Sequence, residues 1–190
     1  MNYMTDVMLL WDSPLLFQKL FAEHGIKCQR ITAETIGTPF LPSCKCLVVP
    51  TGFANPAYTK VLSGLIRSKK QIEKFLEKGG TLLIFGPMVD GHEFNWLPME
   101  LKYVQKQISA DVVKTDGHNI QCIVDDLEHA EFDGYLTDVQ GDVLLTDQEG
   151  HALMVSKKIG EGMIIATTIH EFPSGNFLRW MVERSKSTRL

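Results

Sequence analysis

The first half of the sequence alternates short apolar runs with amphipathic segments, and this alternation constrains the fold more than any other feature. Four runs have the length and composition of buried strands: residues 6–11, 27–31, 46–50 and 81–85. One helix is predicted to begin at Ser13, its N-cap, and another to span residues 57–78. Strands separated by helices favour parallel pairing, because a parallel connection needs a crossover. We therefore predict an α/β sheet whose ligands bind beyond the carboxyl ends of its strands.

The second half of the chain has a different pattern, in which short strands follow one another through compact turns. Strands are predicted at residues 103–113, 119–124, 143–146, 152–156 and 163–169. Turn sequences separate the last three of these, which predicts an antiparallel meander, and a helix is predicted over residues 173–183. The whole pattern favours a single α/β domain over residues 1–184, with a mostly parallel sheet and an antiparallel β extension in the C-terminal half. We expect the polar tail, residues 185–190, to fray.

The composition excludes several classes of protein. A chain of 190 residues with 44% hydrophobic and 22% charged residues has the size and balance of one globular domain. Its net charge of −4 argues against a nucleic-acid binder that relies on a positive field. No apolar run reaches the roughly 18 residues of a membrane span. The first residues lack the basic and apolar regions of a secretion signal, so we expect a cytoplasmic location.

The cysteine count fits reduced, partly buried thiols rather than a disulfide framework. The four cysteines are Cys28, Cys44, Cys46 and Cys122. Cys44 and Cys46 could instead form half of a metal or redox site. Zinc would need about four nitrogen or sulfur ligands, and no second closely spaced pair supplies them. No metal or cofactor is therefore predicted.

The segment from Thr81 to Gly91 points most directly to chemistry. A buried strand that runs into Gly86 and a tight turn is where α/β hydrolytic enzymes place a nucleophile. Here the turn carries Met88, and a thioether cannot perform acyl transfer as a thiol or hydroxyl does. The predicted strand ends also carry Asp12, Thr51, Gly52, Gly86, Asp90 and His92, which we take as candidate ligand-binding residues.

His170 and Glu171 follow the last predicted strand and are the candidate catalytic residues. A histidine beside a carboxylate can act as a base with its orienting group. Neighbours in an extended stretch point to opposite faces, so a direct bond between them is not assured. The alternative is that His170 and Ser174 cap the last helix.

A third group, Asp90, His92 and Glu93, could hold a metal ion if the loops bring it to His170 or Glu171. The alternative is an exposed polar loop. The acidic segment at residues 125–131 is interpreted as a solvated loop, and the histidines outside these groups, such as His118, as surface residues.

Taken together, these segments resemble the class I glutamine amidotransferase-like superfamily, particularly its trehalose-utilisation-like branch. The matching segments are residues 7–12, 47–52, 78–86 and 160–171. The resemblance implies a flavodoxin-like three-layer sandwich with its site at the strand carboxyl ends. It also implies a cysteine nucleophile where this chain has Met88, together with a histidine that matches His170. The family acid lies two residues after that histidine, whereas Glu171 is adjacent to it.

These observations lead to three hypotheses. The first is a non-catalytic amidotransferase-like domain, without a cofactor, that binds a small molecule or a partner protein. The second is a hydrolase that uses His170 with acidic groups, or with a metal held by His92, Glu93 and His170. The third is a subunit that works only in a complex, with its exposed sheet edge or its meander at the interface. A homo-oligomer is one such complex.

Overall fold

The computed structural model describes residues 5–117, 123–125 and 128–190. Within these residues the strands are β1 Val7–Leu10, β2 Cys28–Ile31, β3 Cys46–Val49, β4 Thr81–Ile84, β5 Lys102–Ala110, β6 Val113–Lys114, β7 Ala130–Thr137, β8 Asp142–Thr146, β9 Ala152–Ile159 and β10 Gly162–Thr167. The helices are α1 Phe17–Glu23, α2 Val61–Arg67, α3 Lys69–Glu77 and α4 Gly175–Arg184, with a 3-10 turn at Ala33–Thr35.

Some of the expectations above lie outside the described residues. They concern Cys122, His118, most of the predicted strand at 119–124, and residues 126–127 of the acidic segment. Within the part of the chain that the structure describes, no helix is long and apolar enough to cross a bilayer.

All of these strands belong to one sheet, in the order β2-β1-β3-β4-β10-β9-β7-β5, with β8 on β9 and β6 on β8. The pairs among β2, β1, β3, β4 and β10 are parallel, which confirms the parallel pairing predicted for the first four strands. The pairs of β9 with β10 and with β8 are antiparallel, which confirms the predicted meander.

The predicted fold class is wrong. Five of the nine strand pairings in the described residues are antiparallel, so the sheet is mixed rather than mostly parallel. It curls into a half-barrel, and only 20% of the described residues are helical, so the molecule is not a flavodoxin-like three-layer α/β sandwich. Part of the physical reason lies in residues 138–161, where short turns connect β7, β8, β9 and β10. Such turns join antiparallel neighbours and leave no chain for crossover helices.

The core forms two apolar clusters, and successive strand residues alternate between them. In β1, Met8 and Leu10 enter the cluster that also holds Phe75 of α3. Val7 and Leu9 enter the cluster of α1 and α4. Because β1, β3 and β4 are buried at every position, their sequences are continuous apolar runs rather than alternating ones. This two-sided burial made these strands recognisable.

The helices are shorter than their sequence patterns predict. The first begins at Phe17 rather than after Ser13, and its N-cap position has no side-chain hydrogen bond. The segment expected as one helix over residues 57–78 is divided at Ser68 into α2 and α3.

The C-terminal residues are docked rather than frayed. The amide of Thr188 donates to the carbonyl of Cys44 at 2.9 Å, and the amide of Cys44 donates to the carbonyl of Thr188 at 2.9 Å. The side chain of Leu190 is 5% exposed and belongs to the core. The polar composition of the tail did not predict this pairing, because the pairing is made by backbone hydrogen bonds, which do not depend on side-chain type.

Ser174 caps α4, since its hydroxyl accepts a hydrogen bond from the amide of Phe177 at 3.1 Å. We expect Ser174→Ala to lower the free energy of unfolding by about 1 kcal/mol, because one amide of the first turn loses its acceptor. Urea denaturation measures this. Ser63→Ala, at an exposed position inside α2, serves as the control and should change stability by less than about 0.5 kcal/mol. Equal effects of the two substitutions would contradict the capping role.

Candidate functional site

The turn after β4 holds Met88 in an unusual backbone conformation. The strand and the next three residues are buried, and Met88 follows them half-buried with a φ of 57°. A residue other than glycine in the left-handed region costs of order 1 kcal/mol or more, and such positions cluster at functional sites. Met88 thus combines a strained backbone with the turn position that the sequence singled out.

A cavity of about 220 Å³ lies beside this turn. Its walls come from the turn, from β5, from β7 and from the segment after β10. They consist of one thioether, one aromatic residue and five polar or ionisable residues: Met88, Gln105, Gln107, Glu131, Phe132, Asp133 and His170. We call it the Met88 cavity.

His170 reaches the Met88 cavity because the chain after β10 runs along β7. Ile169 forms an antiparallel bridge with Phe132, and the amide of His170 donates to the carbonyl of Glu131 at 2.9 Å. His170 itself is exposed to solvent. Two residues chosen from the sequence, His170 and Met88, thus line one cavity although 82 positions separate them.

Asp133 is the buried ionisable group of the Met88 cavity, with 7% of its surface exposed. The hydroxyl of Tyr103 donates to its backbone carbonyl at 2.6 Å and to its Oδ1 at 3.1 Å. Among the described residues, Oδ2 has no hydrogen-bond partner. Burial raises the pKa of Asp133 to about 6, although the Tyr103 hydrogen bond and the nearby His170 both act to lower it.

Gly86 makes room for this carboxylate. A Cβ atom at Gly86 would overlap both carboxylate oxygens of Asp133, so any larger residue would displace the buried group. The glycine expected to bind a ligand therefore positions the acid of the cavity.

Glu171 does not orient the imidazole of His170. Its carboxylate Oε1 accepts a hydrogen bond from the amide of Glu131 at 3.0 Å, which fastens this segment to β7. The helix cap that was the alternative interpretation is made by Ser174, whereas the amide of His170 bonds to β7.

Asp12 and Gly52, two candidates in the loops after β1 and β3, have structural roles. The carboxylate Oδ2 of Asp12 accepts hydrogen bonds from the Thr59 hydroxyl at 2.5 Å and from the Lys60 amide at 2.7 Å, just before α2. Gly52 has a φ of 86°, and its amide donates to the carbonyl of Gly86 at 2.8 Å. Asp12, Thr51 and Gly52 are not among the residues that line the Met88 cavity.

The loop after β4 covers the edge of β5. Asp90 Oδ1 accepts a hydrogen bond from the amide of Gln105 at 2.9 Å, and the carbonyl of His92 accepts one from the amide of Tyr103 at 2.9 Å. The Glu93 carboxylate pairs with the Lys102 ammonium at 3.3 Å.

The histidine of this loop is packed among aromatic rings. The His92 ring lies 5.5 Å from that of Phe53 and 4.9 Å from that of Phe94, and burial lowers its pKa. Residues 90, 92 and 93 thus make separate contacts rather than one ligand set.

One group among the described residues has the spacing of metal ligands. It consists of Asp147, Glu149 and His151, in the turn between β8 and β9. The Asp147 carboxylate already accepts the amides of Glu149 and His151, at 2.9 and 2.8 Å, and contacts the His151 ring at 2.7 Å. These hydrogen bonds close the turn, and they explain why the three side chains lie together.

The described cysteines are poor nucleophiles. Cys44 and Cys46 are buried and Cys28 is partly buried, and none of the three forms a disulfide. Burial raises the pKa of Cys28 and of Cys46 to about 12, and it also raises the pKa of Cys44. Reactive cysteines need a lowered pKa, so these thiols fit the core role expected from composition.

Sequence reasoning missed the β7 and β5 walls of the Met88 cavity, which consist of Glu131, Asp133, Gln105 and Gln107. One signal was present: an acidic residue stands between Phe132 and Gly134 in a stretch of otherwise strand-like residues. An acid placed inside a strand rather than in a turn indicates a buried polar site.

Solved structures with the same fold share little sequence with this chain. Cytoplasmic Protein STM1381 from Salmonella typhimurium LT2 is 15% identical with a TM-score of 0.55, and the match covers 96% of this chain and 100% of that one. Exo-β-1,4-mannosidase Op5Man5 from Opitutaceae bacterium strain TAV5 is 16% identical with a TM-score of 0.53. The match covers 95% of this chain and 33% of the mannosidase. The β-galactosidase from Rahnella sp. R3 is 12% identical with a TM-score of 0.56. The match covers 95% of this chain and 30% of the β-galactosidase.

The chain thus spans about a third of the length of these two glycosidases and the full length of the Salmonella protein. No protein-family model and no curated protein matches it. None of these neighbours is described as a glutamine amidotransferase, so that resemblance stays a prediction. At such low identity the structural matches show the fold alone, and they agree with the sheet-dominated half-barrel.

Proposed function

We propose that this chain is a non-catalytic, cytoplasmic binding domain whose Met88 cavity takes a small polar molecule. The observation that carries the proposal is Met88, which has a strained backbone and a chemically inert side chain in the turn where the sequence resemblance predicts a nucleophile. Among the described residues, no serine, threonine or cysteine lines the cavity. Two structural neighbours described as cytoplasmic proteins of Salmonella support the location.

The size of the cavity limits the ligand. A volume of about 220 Å³ lies below the roughly 300–1,000 Å³ of typical ligand pockets, so the cavity suits a small molecule. The many polar groups on the walls favour a molecule with several hydrogen-bonding atoms.

A thermal-shift screen of small polar compounds tests the binding function. We expect some of them to raise the Tm of the wild-type protein, because a ligand that binds only the folded state stabilises it. Gln105→Trp should abolish these shifts by filling the cavity. Lys106→Trp, on the same strand but outside the cavity walls, should keep them. Shifts that survive Gln105→Trp, or a screen without shifts, would contradict the proposal.

The absence of catalysis is tested with glutamine, the substrate that the sequence resemblance implies. We expect no glutamate above the background rate when the protein is incubated with glutamine, because the nucleophile is missing. Enzyme-coupled detection of glutamate measures this. Glutamate formation that disappears in His170→Ala would overturn the non-catalytic interpretation.

A hydrolase remains the second candidate, and Asp133 is the observation that favours it. A carboxyl with a pKa of about 6, near His170 and Glu131, has the properties of a general acid at neutral pH. Chromogenic esters and glycosides are suitable probes. Hydrolysis that is lost in Asp133→Asn and retained in Asp142→Asn, at an exposed position on β8, would favour this function over binding.

A protein partner is the other form of the binding hypothesis. Leu16 and Phe172 are exposed by 70% and 52% respectively, and the rings of Phe17 and Phe172 lie 5.3 Å apart. Exposed apolar side chains that lie together can mark an interaction site. Sedimentation of the purified chain measures whether it associates with itself.

A further inference from the structure

The charge of the Met88 cavity selects among small polar ligands. Two carboxylates line it, those of Glu131 and Asp133, while Gln105 and Gln107 are neutral. No lysine or arginine is among the described residues of its walls, and His170 is the sole basic group there. Because carboxylates outnumber the one imidazole on its walls, the cavity favours a cation over an anion.

The hydrogen bonds of the cavity also point to a ligand that donates. Asp133 Oδ2 is buried, and within residues 5–117, 123–125 and 128–190 it has no partner. The one side-chain donor to this carboxylate, the Tyr103 hydroxyl, reaches Oδ1. A buried acceptor without a donor costs roughly 1–3 kcal/mol. A rotation of the carboxylate toward the cavity that Asp133 lines would let a ligand supply the donor.

We propose that the Met88 cavity binds a small primary ammonium compound, whose –NH3⁺ group donates hydrogen bonds to the carboxylates of Asp133 and Glu131. An ammonium group carries three donors and a positive charge, which matches both the unpaired oxygen and the charge of the walls. The short carbon chain of such a compound packs against the Met88 thioether. The inference rests on the proposed binding function and adds the chemical class of the ligand.

Ligand binding should weaken in acid. The groups that face Asp133 are Tyr103 from β5, Glu131 from its own strand and His170 from the segment after β10, and Asp90 acts on Tyr103 from the loop after β4. Burial raises the pKa of Asp133 to about 6, so acid protonates this carboxylate and removes the charge that attracts the ammonium. Affinity should therefore be lower at pH 5 than at pH 7.5.

Three compounds of nearly equal size separate charge from shape: ethanolamine, ethylene glycol and glycolate. Each is added at millimolar concentration to the wild-type protein, to Asp133→Asn and to Asp142→Asn, and the Tm shift is measured at pH 7.5. We expect ethanolamine alone to raise the Tm of the wild type. Its apparent affinity should fall at least tenfold in Asp133→Asn and stay unchanged in Asp142→Asn, which loses the same charge from the exposed surface of β8.

The outcomes distinguish the ligand class from the binding function. If ethylene glycol or glycolate stabilises the protein as strongly as ethanolamine, the ammonium class is overturned and the binding function stands. An ethanolamine shift that persists in Asp133→Asn overturns the assigned site. If none of the three shifts the Tm, the ammonium inference fails, and the wider screen decides on the binding function.

Discussion

Asp133→Asn is expected to make the folded protein more stable at pH 8, by up to about 3 kcal/mol, and to leave its stability near pH 4 almost unchanged. The reason is the burial of Asp133, which raises its pKa in the folded protein from the ordinary 3.8 to about 6. At pH 8 the wild type must keep a buried charge whose Oδ2 lacks a partner among the described residues, whereas asparagine stays neutral.

The direction follows from proton linkage. Between pH 3.8 and about pH 6 the folded protein holds a proton that the unfolded chain has already released. The unfolded state therefore binds fewer protons, and wild-type stability falls as the pH rises through this window. Above both pKa values the buried charge lowers the stability by its full amount, and below both pKa values this loss of stability is absent. Asparagine does not titrate, so the difference between variant and wild type should grow across the same window.

Urea denaturation of both proteins at five pH values from 4 to 8 measures this difference. Asp142→Asn is the control, because its carboxylate is exposed and should give a small difference that hardly changes with pH. A stability difference between Asp133→Asn and wild type that is constant across the range would contradict the raised pKa. A variant that is less stable than wild type at pH 8 would contradict the unpaired charge.

Gly86→Ala is expected to lower the free energy of unfolding by about 2 kcal/mol. Its Cβ atom would overlap the Asp133 carboxylate, which cannot move without losing its Tyr103 hydrogen bond. The cost should depend on that carboxylate. In an Asp133→Ala background, Gly86→Ala should cost less than about 1 kcal/mol, a coupling of at least about 1 kcal/mol between the two positions.

A double-mutant cycle in urea measures the coupling. Gly150→Ala is the matched control, because Gly150 has a positive φ but no neighbouring atom in the way of a Cβ. Its cost should come from backbone strain alone and be the same with and without Asp133. If Gly86→Ala is equally costly in both backgrounds, the carboxylate does not rest against Gly86.

The sequence pattern predicted the strands whose burial is two-sided, because a short continuous apolar run between turn residues is typical of a strand covered on both faces. It did not predict β7, because the acidic segment that runs into this strand was interpreted as a solvated loop and Gly134 weakens a strand pattern. Gly134 is placed there by packing: a Cβ on it would overlap the Val104 carbonyl and come close to the Tyr103 ring. Without β7, the antiparallel share of the sheet was underestimated, which contributed to the wrong fold class.

The candidate site was predictable where it depends on local chain geometry. A tight turn after a buried strand identified Met88, and a strand end identified His170. The partner of Asp133 was not predictable, because Tyr103 lies 30 positions away and meets it only through the pairing of β5 with β7. Long-range register of this kind leaves no mark within a short window of sequence.

The loop over β5 has a consequence for the behaviour of the protein at high concentration. An uncovered outer strand offers amides and carbonyls to the outer strand of another molecule, which is a common route to aggregation. Here the amides of Tyr103 and Gln105 are already bonded to His92 and Asp90 of the same chain. The register shift between Gln105 and Ile108 further disturbs the strand as a template. Asp90, first noted as a ligand candidate, thus protects the sheet from edge-to-edge growth.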